Sequence, residues 1–216
     1  MSKFIRTAIL VGVAFVLVSG LAWWYLVRVR TEPAPIKEVS SVLTSHTESL
    51  HEESDKYNYT VDVVYPVVQS KPEIPAQESF NSELRSLVRN MVAGFTARED
   101  VGSSARDSVS SSALVARGEI ALLSAEAVSV RFSVSDYTAG AAHPNSYVVG
   151  YTYDLRKRAR VGLADLFTPG SSYLPYLAEY SRRELLAQFG DDAGALGDSI
   201  QSGTEPKSSN YQTFVL

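Results

Sequence analysis

The ten residues Asp136-Tyr-Thr-Ala-Gly-Ala-Ala-His-Pro-Asn145 bring together an imidazole, a carboxylate, a phenol and a carboxamide. An imidazole titrates near neutral pH and can carry a proton, and a carboxylate within reach can orient it and stabilise its charge. His143 with Asp136, or with the more distant Asp165, is therefore the pairing best suited to acid–base catalysis. Tyr137, Gly140 and Asn145 complete a candidate binding loop. The same residues also fit a tight connection in which His143 and Asn145 hydrogen-bond the backbone and Gly140 supplies a turn. That structural reading is preferred, because no nucleophile, second histidine or paired carboxylate is placed to complete a catalytic set.

Other reactive groupings are sparse. The sequence has no cysteine, which removes disulfides, thiolate metal sites and thiol nucleophiles. His46 and His51 stand near Glu48, Glu52 and Glu53, but a spacing of five does not put both imidazoles on one helical face, so no metal or other cofactor is expected. Arg156-Lys-Arg-Ala-Arg160 could meet an anionic polymer or headgroup, and equally reads as a solvated turn. Asn58-Tyr59-Thr60 matches a glycosylation acceptor but lies within a strand pattern.

The elements that must position the loop follow from periodicity. Tyr57, Tyr59, Val61, Val63 and Tyr65 alternate with polar residues, as a strand with one buried face does, and Pro66 marks an edge or a bulge. After Pro75, residues Phe80, Leu84, Leu87, Val88, Met91, Val92 and Phe95 recur at spacings of three and four, which predicts an amphipathic helix with Leu87 and Met91 central to its buried stripe. Strands are predicted over 114–124, 127–135 and 146–155, joined as an antiparallel meander. A second helix is predicted over 172–189, with Pro175 in its first turn and Gly190 as its cap. Ser209 to Leu216 reads as the start of a further strand. The expected fold is α+β: an antiparallel sheet, with two amphipathic helices against it, over residues 57–216.

Ahead of this domain, Thr7 to Val27 contains no charged residue, and its 21 residues would span about 31 Å as a helix. That matches a hydrocarbon core of about 30 Å. Trp23, Trp24 and Tyr25 lie at one end, followed by Arg28 and Arg30, as at a membrane interface. Residues 1–6 are then a short cytoplasmic tail, 7–27 an uncleaved transmembrane anchor and 28–56 a Pro-, Ser- and Glu-containing stem. A cleaved signal peptide is the rival, but the apolar run is longer than such a segment needs. Lys3, Arg6, Arg28 and Arg30 are the only charged residues before Thr31; the rest of the chain keeps 16 of the 20 basic residues against 24 acidic ones. A net acidic domain is not built for nucleic acid.

The order of span, strand Tyr57 to Val68, helix, His143 loop, aromatic strand ending Tyr153-Asp154-Leu155, and Leu163-Ala-Asp-Leu-Phe167 resembles a bacterial extracytoplasmic domain. That domain is found in RsiV-type anti-sigma factors and ahead of the catalytic domain in PdaC-type peptidoglycan deacetylases. The loop of that family commonly reads Gly-Gly-Ala-His, where this chain has Ala139, Gly140, Ala141 and Ala142 before His143. Members usually continue with further strands, so the resemblance also implies a domain lacking its last strands. It implies a non-catalytic module in the cytoplasmic membrane, with its large part outside, that binds or senses an envelope protein or glycan. In the anti-sigma factors the ligand is lysozyme, but no motif here carries that contact over. With residues 1–6 as the cytoplasmic tail, an anti-sigma role is not expected, and neither is a deacetylase activity. The competing expectation is an envelope glycan-modifying hydrolase using His143 with Asp136 or Asp165.

Overall fold

A computed structural model describes residues 42–102, 110–190 and 194–216. The elements are β1 (Val42–Ser54), β2 (Tyr59–Lys71), α1 (Pro75–Gly102), β3 (Ser112–Leu123), β4 (Ala127–Tyr137), β5 (Asn145–Asp154), β6 (Ala159–Arg160), α2 (Tyr173–Phe189) and α3 (Gly197–Gly203). The strands form one six-stranded sheet in chain order. The predicted transmembrane segment 7–27 lies outside the described residues. Among the described residues, no helix is long and apolar enough to cross a membrane.

The core lies between α1 and one face of the sheet. Phe80, Leu84, Val88, Val92 and Phe95 are buried on α1, against Val61, Val63, Leu114, Val130 and Phe132 of the strands. Phe95 meets the Tyr59 ring edge-on at 5.7 Å, and Phe80 meets Tyr153 at 5.8 Å. Such edge contacts add to plain area burial because the ring edge is electropositive and the face electronegative. Leu87 and Met91 do not hold the centre of the stripe. Both are half-buried and pack on the margin of the core, since the 80-84-88-92-95 row is the one that points at the sheet. On the sheet, Phe132 crosses Gly118 so closely that a Cβ there would lie 2.7 Å from its ring.

Four expectations about architecture are corrected. The stem does not reach Lys56: Val42–Ser54 is β1, paired antiparallel with β2 without a break from Val42↔Lys71 to Ser54↔Tyr59. Its residues are mostly polar on both faces, so they carry no period of two. They are held by backbone bonds and by contacts such as Arg85 to Glu48, where the Nη2–Oε1 distance is 2.8 Å and Nε–Oε2 is 3.2 Å. The Tyr65 hydroxyl donates to the same carboxylate, and the Arg85 bond first, then that of Tyr65, holds Glu48 below its ordinary pKa.

The sheet is mixed rather than antiparallel. β2 and β3 pair in parallel from Tyr59↔Ser112 to Val64↔Arg117, with α1 as the crossover between them. A strand leading through a helix to a neighbouring strand returns in the same direction. Pro66 is tolerated inside β2 because the β3 ladder has already ended at Val64. Beyond it Asn81 of α1 acts as a substitute strand, accepting from the Val68 N–H at 2.9 Å and donating to its carbonyl at 2.8 Å.

The third correction concerns α2, which does not cover the sheet as α1 does. Ala178 is its only buried residue, and Tyr176 is 69% exposed. It docks on α3 instead, where Arg182 donates to the Thr204 hydroxyl at 3.2 Å and Ile200 is buried. The tail is not a strand either. Ser208–Tyr211 is a 3-10 turn, and the segment after it lies across the second face of the sheet. There the Phe214 carbonyl lies so close to Gly150 that a Cβ would be 2.0 Å from it, and the Leu216 N–H donates to Ser129 Oγ at 3.1 Å.

Candidate functional site

Asp136 and Asn145 face each other as the last register pair of β4 and β5, so the intervening loop is the end of a hairpin. Its first half is fastened from below. The Ala141 N–H donates to the Thr138 carbonyl at 2.9 Å, and Gly140 takes φ 87°, the left-handed value that the third residue of a type II turn requires. The Ala139 N–H donates to Ser112 Oγ at 2.8 Å, and the Ser112 hydroxyl donates to the fully buried Glu99 at 2.7 Å. Thr138 reaches the other oxygen of Glu99 at 3.5 Å. A carboxylate at this depth is tolerable only with hydrogen bonds around it, and those bonds tie α1, β3 and the loop together.

Asp136 is buried beside this network and pairs with Arg98 of α1, whose side chain is exposed. Tyr147 stands nearby, its phenol pushed up in pKa by burial and then by the Asp136 charge. Tyr137 is half-buried and pairs in register with Ala113. Residues 140–146 are exposed, and His143 Nδ1 lies 3.0 Å from the carbonyl of its own neighbour, Pro144. Asp165 is spent elsewhere: its Oδ2 accepts from the Gly162 N–H at 2.7 Å and caps a 3-10 turn, Leu163–Leu166.

The three groups of the hydrolytic pairing thus have three separate partners. Among the described residues, no hydrogen bond or ion pair joins His143 to Asp136 or to Asp165. The loop does border a shallow depression of about 380 Å³ on the second face of the sheet, where Val115, Ser133, Ser135, Ser146, Tyr147 and Val148 line it. Ser135 and Ser146 form the register pair just inside Asp136 and Asn145, which makes loop and depression continuous. No group of His, Asp or Glu suited to a metal ion occurs among the described residues.

The basic segment is the turn between β5 and β6. The Asp154 carboxylate accepts the Arg156 and Lys157 N–H groups, each at 2.8 Å, and these bonds, that of Lys157 foremost, lower its pKa. Sequence reasoning missed Arg98, Glu99 and Ser112. A signal existed for Glu99, which continues the apolar row of α1 four residues after Phe95 and so places a carboxylate where the core requires a buried side chain. Ser112 could not be found that way, because its role depends on the parallel pairing of β3.

No protein-family model matches the chain, and no curated protein matches it. Solved structures do. A DUF3298 family protein from Pseudomonas aeruginosa PAO1 is similar over 79% of this chain and 70% of its own, with 14% identity and a TM-score of 0.39. A member of the DUF3298 family from Bacteroides fragilis NCTC 9343 is similar over 74% of both chains, with 17% identity and a TM-score of 0.40.

Proposed function

We propose that this chain is a non-catalytic binding or sensing domain, tethered to the cytoplasmic membrane by residues 7–27, with its α+β part in the cell envelope. This is the role implied by its resemblance to the RsiV-type and PdaC-type ectodomains. The observation that carries the binding reading is the loop itself. Its base is fixed by buried polar bonds while Gly140 to Asn145 remain exposed beside a depression. A rigid base under an exposed tip lowers the ordering cost of binding. The buried polar groups at the loop's base act as scaffold. The ligand is an envelope protein or glycan, recognised by His143, Asn145 and the serine-lined surface.

The test is recovery of a partner from envelope extracts on the full chain in detergent, with a His143→Ala/Asn145→Ala variant beside it. A partner retained by the wild type and lost by the variant supports the reading; equal recovery, or none, overturns it. Anchoring is tested separately by fractionation. Leu17→Arg should release the chain from membranes, because a central arginine costs about 2.5–3.5 kcal/mol on insertion. Unchanged retention would contradict the span.

A further inference from the structure

We propose that the outer edge of β1 is a site of strand addition for an extended basic peptide of a partner protein. The two ends of the sheet differ in length and charge. One is β5, of which β6 pairs only Tyr153 and Asp154, leaving a shorter edge with no acidic side chain before Asp154. The other is β1, a strand of 13 residues in unbroken register with β2 and with no further strand beside it among the described residues. Alternate residues of an edge strand direct their N–H and C=O groups outward, so a strand of this length offers about six such residues to a newcomer.

Edges of this kind are normally blunted by a proline, a bulge, an inward charge or a lysine. Val42–Ser54 contains no proline, lysine or arginine, and its pairing shows no bulge. Its one such device is charge: it carries Glu48, Glu52 and Glu53, and Glu48 turns inward to Arg85 of α1. Glu48 is held by Arg85 and Tyr65, and Glu52 accepts from the Tyr59 hydroxyl at 2.6 Å. Glu53 is exposed on the strand beside them.

That charge chooses the occupant. A second copy pairing edge to edge would bring two glutamate-bearing strands together, and like charges across a ladder are destabilising. A peptide alternating lysine with β-branched residues makes the same backbone bonds and meets the carboxylates with opposite charge. This surface is separate from the 137–145 loop, so either proposal can fail without the other.

The experiment uses the full chain in detergent, with per-residue amide exchange as its readout. The probes are a peptide as long as β1 that alternates lysine with valine or threonine, its glutamate counterpart, and a lysine peptide N-methylated at alternate amides. The expected result is binding of the lysine peptide alone, with about tenfold slower exchange at alternate β1 residues. Glu53→Lys should weaken that binding about tenfold while leaving the unfolding transition in place. The proposal is overturned by any of three results: no binding, binding indifferent to N-methylation, or alternate β1 amides already protected in the free chain in proportion to its concentration. The last would mean that a second copy holds the edge.

Discussion

At the scale of single residues, His51 and Asp62 show what an exposed pair can do. They face each other across β1 and β2, with Nδ1 2.9 Å from Oδ1. The Asp62 hydrogen bond, and then its charge, raise the His51 pKa above its ordinary 6.5. A raised folded-state value means that the pair contributes fully below 6.5 and loses that contribution as pH rises through the folded-state value. An NMR titration should give a His51 midpoint above 6.5 that returns toward it in Asp62→Asn. An unmoved midpoint would show that solvent dominates. Gly150 is a steric case instead. Gly150→Ala puts a methyl on the Phe214 carbonyl, so the tail must lift from Ser129 and Thr152, which are both buried. The expected cost is about 1–3 kcal/mol, with the Leu216 amide losing protection in hydrogen exchange. The sequence named the Asp136–Asn145 loop and the turn role of Gly140, because small residues and turn formers between two alternating runs are a local signal. Partners such as Arg98 and Ser112 come from distant elements, and local pattern does not reach them.

At the scale of elements, the strands and helices with strong apolar period were legible. β2, α1, β4, β5 and α2 lie within a few residues of where periodicity puts them, whereas β1 carries only Leu43 and Leu50 against the core and reads as a stem. The face of α1 was legible but its centre was not. Leu84→Ala, at a fully buried position, should cost about 2–5 kcal/mol in denaturant unfolding, and Met91→Ala on the margin should cost clearly less. Equal losses would contradict the stripe seen here. The loop fastening belongs to this scale too. Ser112→Ala removes one donor from buried Glu99 and the acceptor of the Ala139 N–H, two bonds linking three elements. A loss of about 1–3 kcal/mol is expected, together with faster exchange at Ala139 and Ala141. Unchanged exchange would mean that the loop holds its shape without the network.

At the scale of the whole molecule, the question is where the folded unit begins, and sequence and structure answer differently. Alternation starting at Tyr57 places the boundary after the stem, so a chain starting there should fold like the longer one. The structure makes β1 the partner of β2 along its whole length, with Leu43 and Leu50 packed on the core and Glu48 and Glu52 accepting from Tyr65 and Tyr59. Removing β1 would open a full ladder of β2 backbone groups and strip one side of the core, exposing an apolar edge that invites association. Two fragments test this, one beginning at Ser41 and one at Tyr57. The first should give a cooperative unfolding transition and a monodisperse solution. The second should lose cooperativity, or aggregate at concentrations the first tolerates. Equal stability of the two would mean that β1 is a dispensable attachment and that the boundary read from periodicity is the physical one.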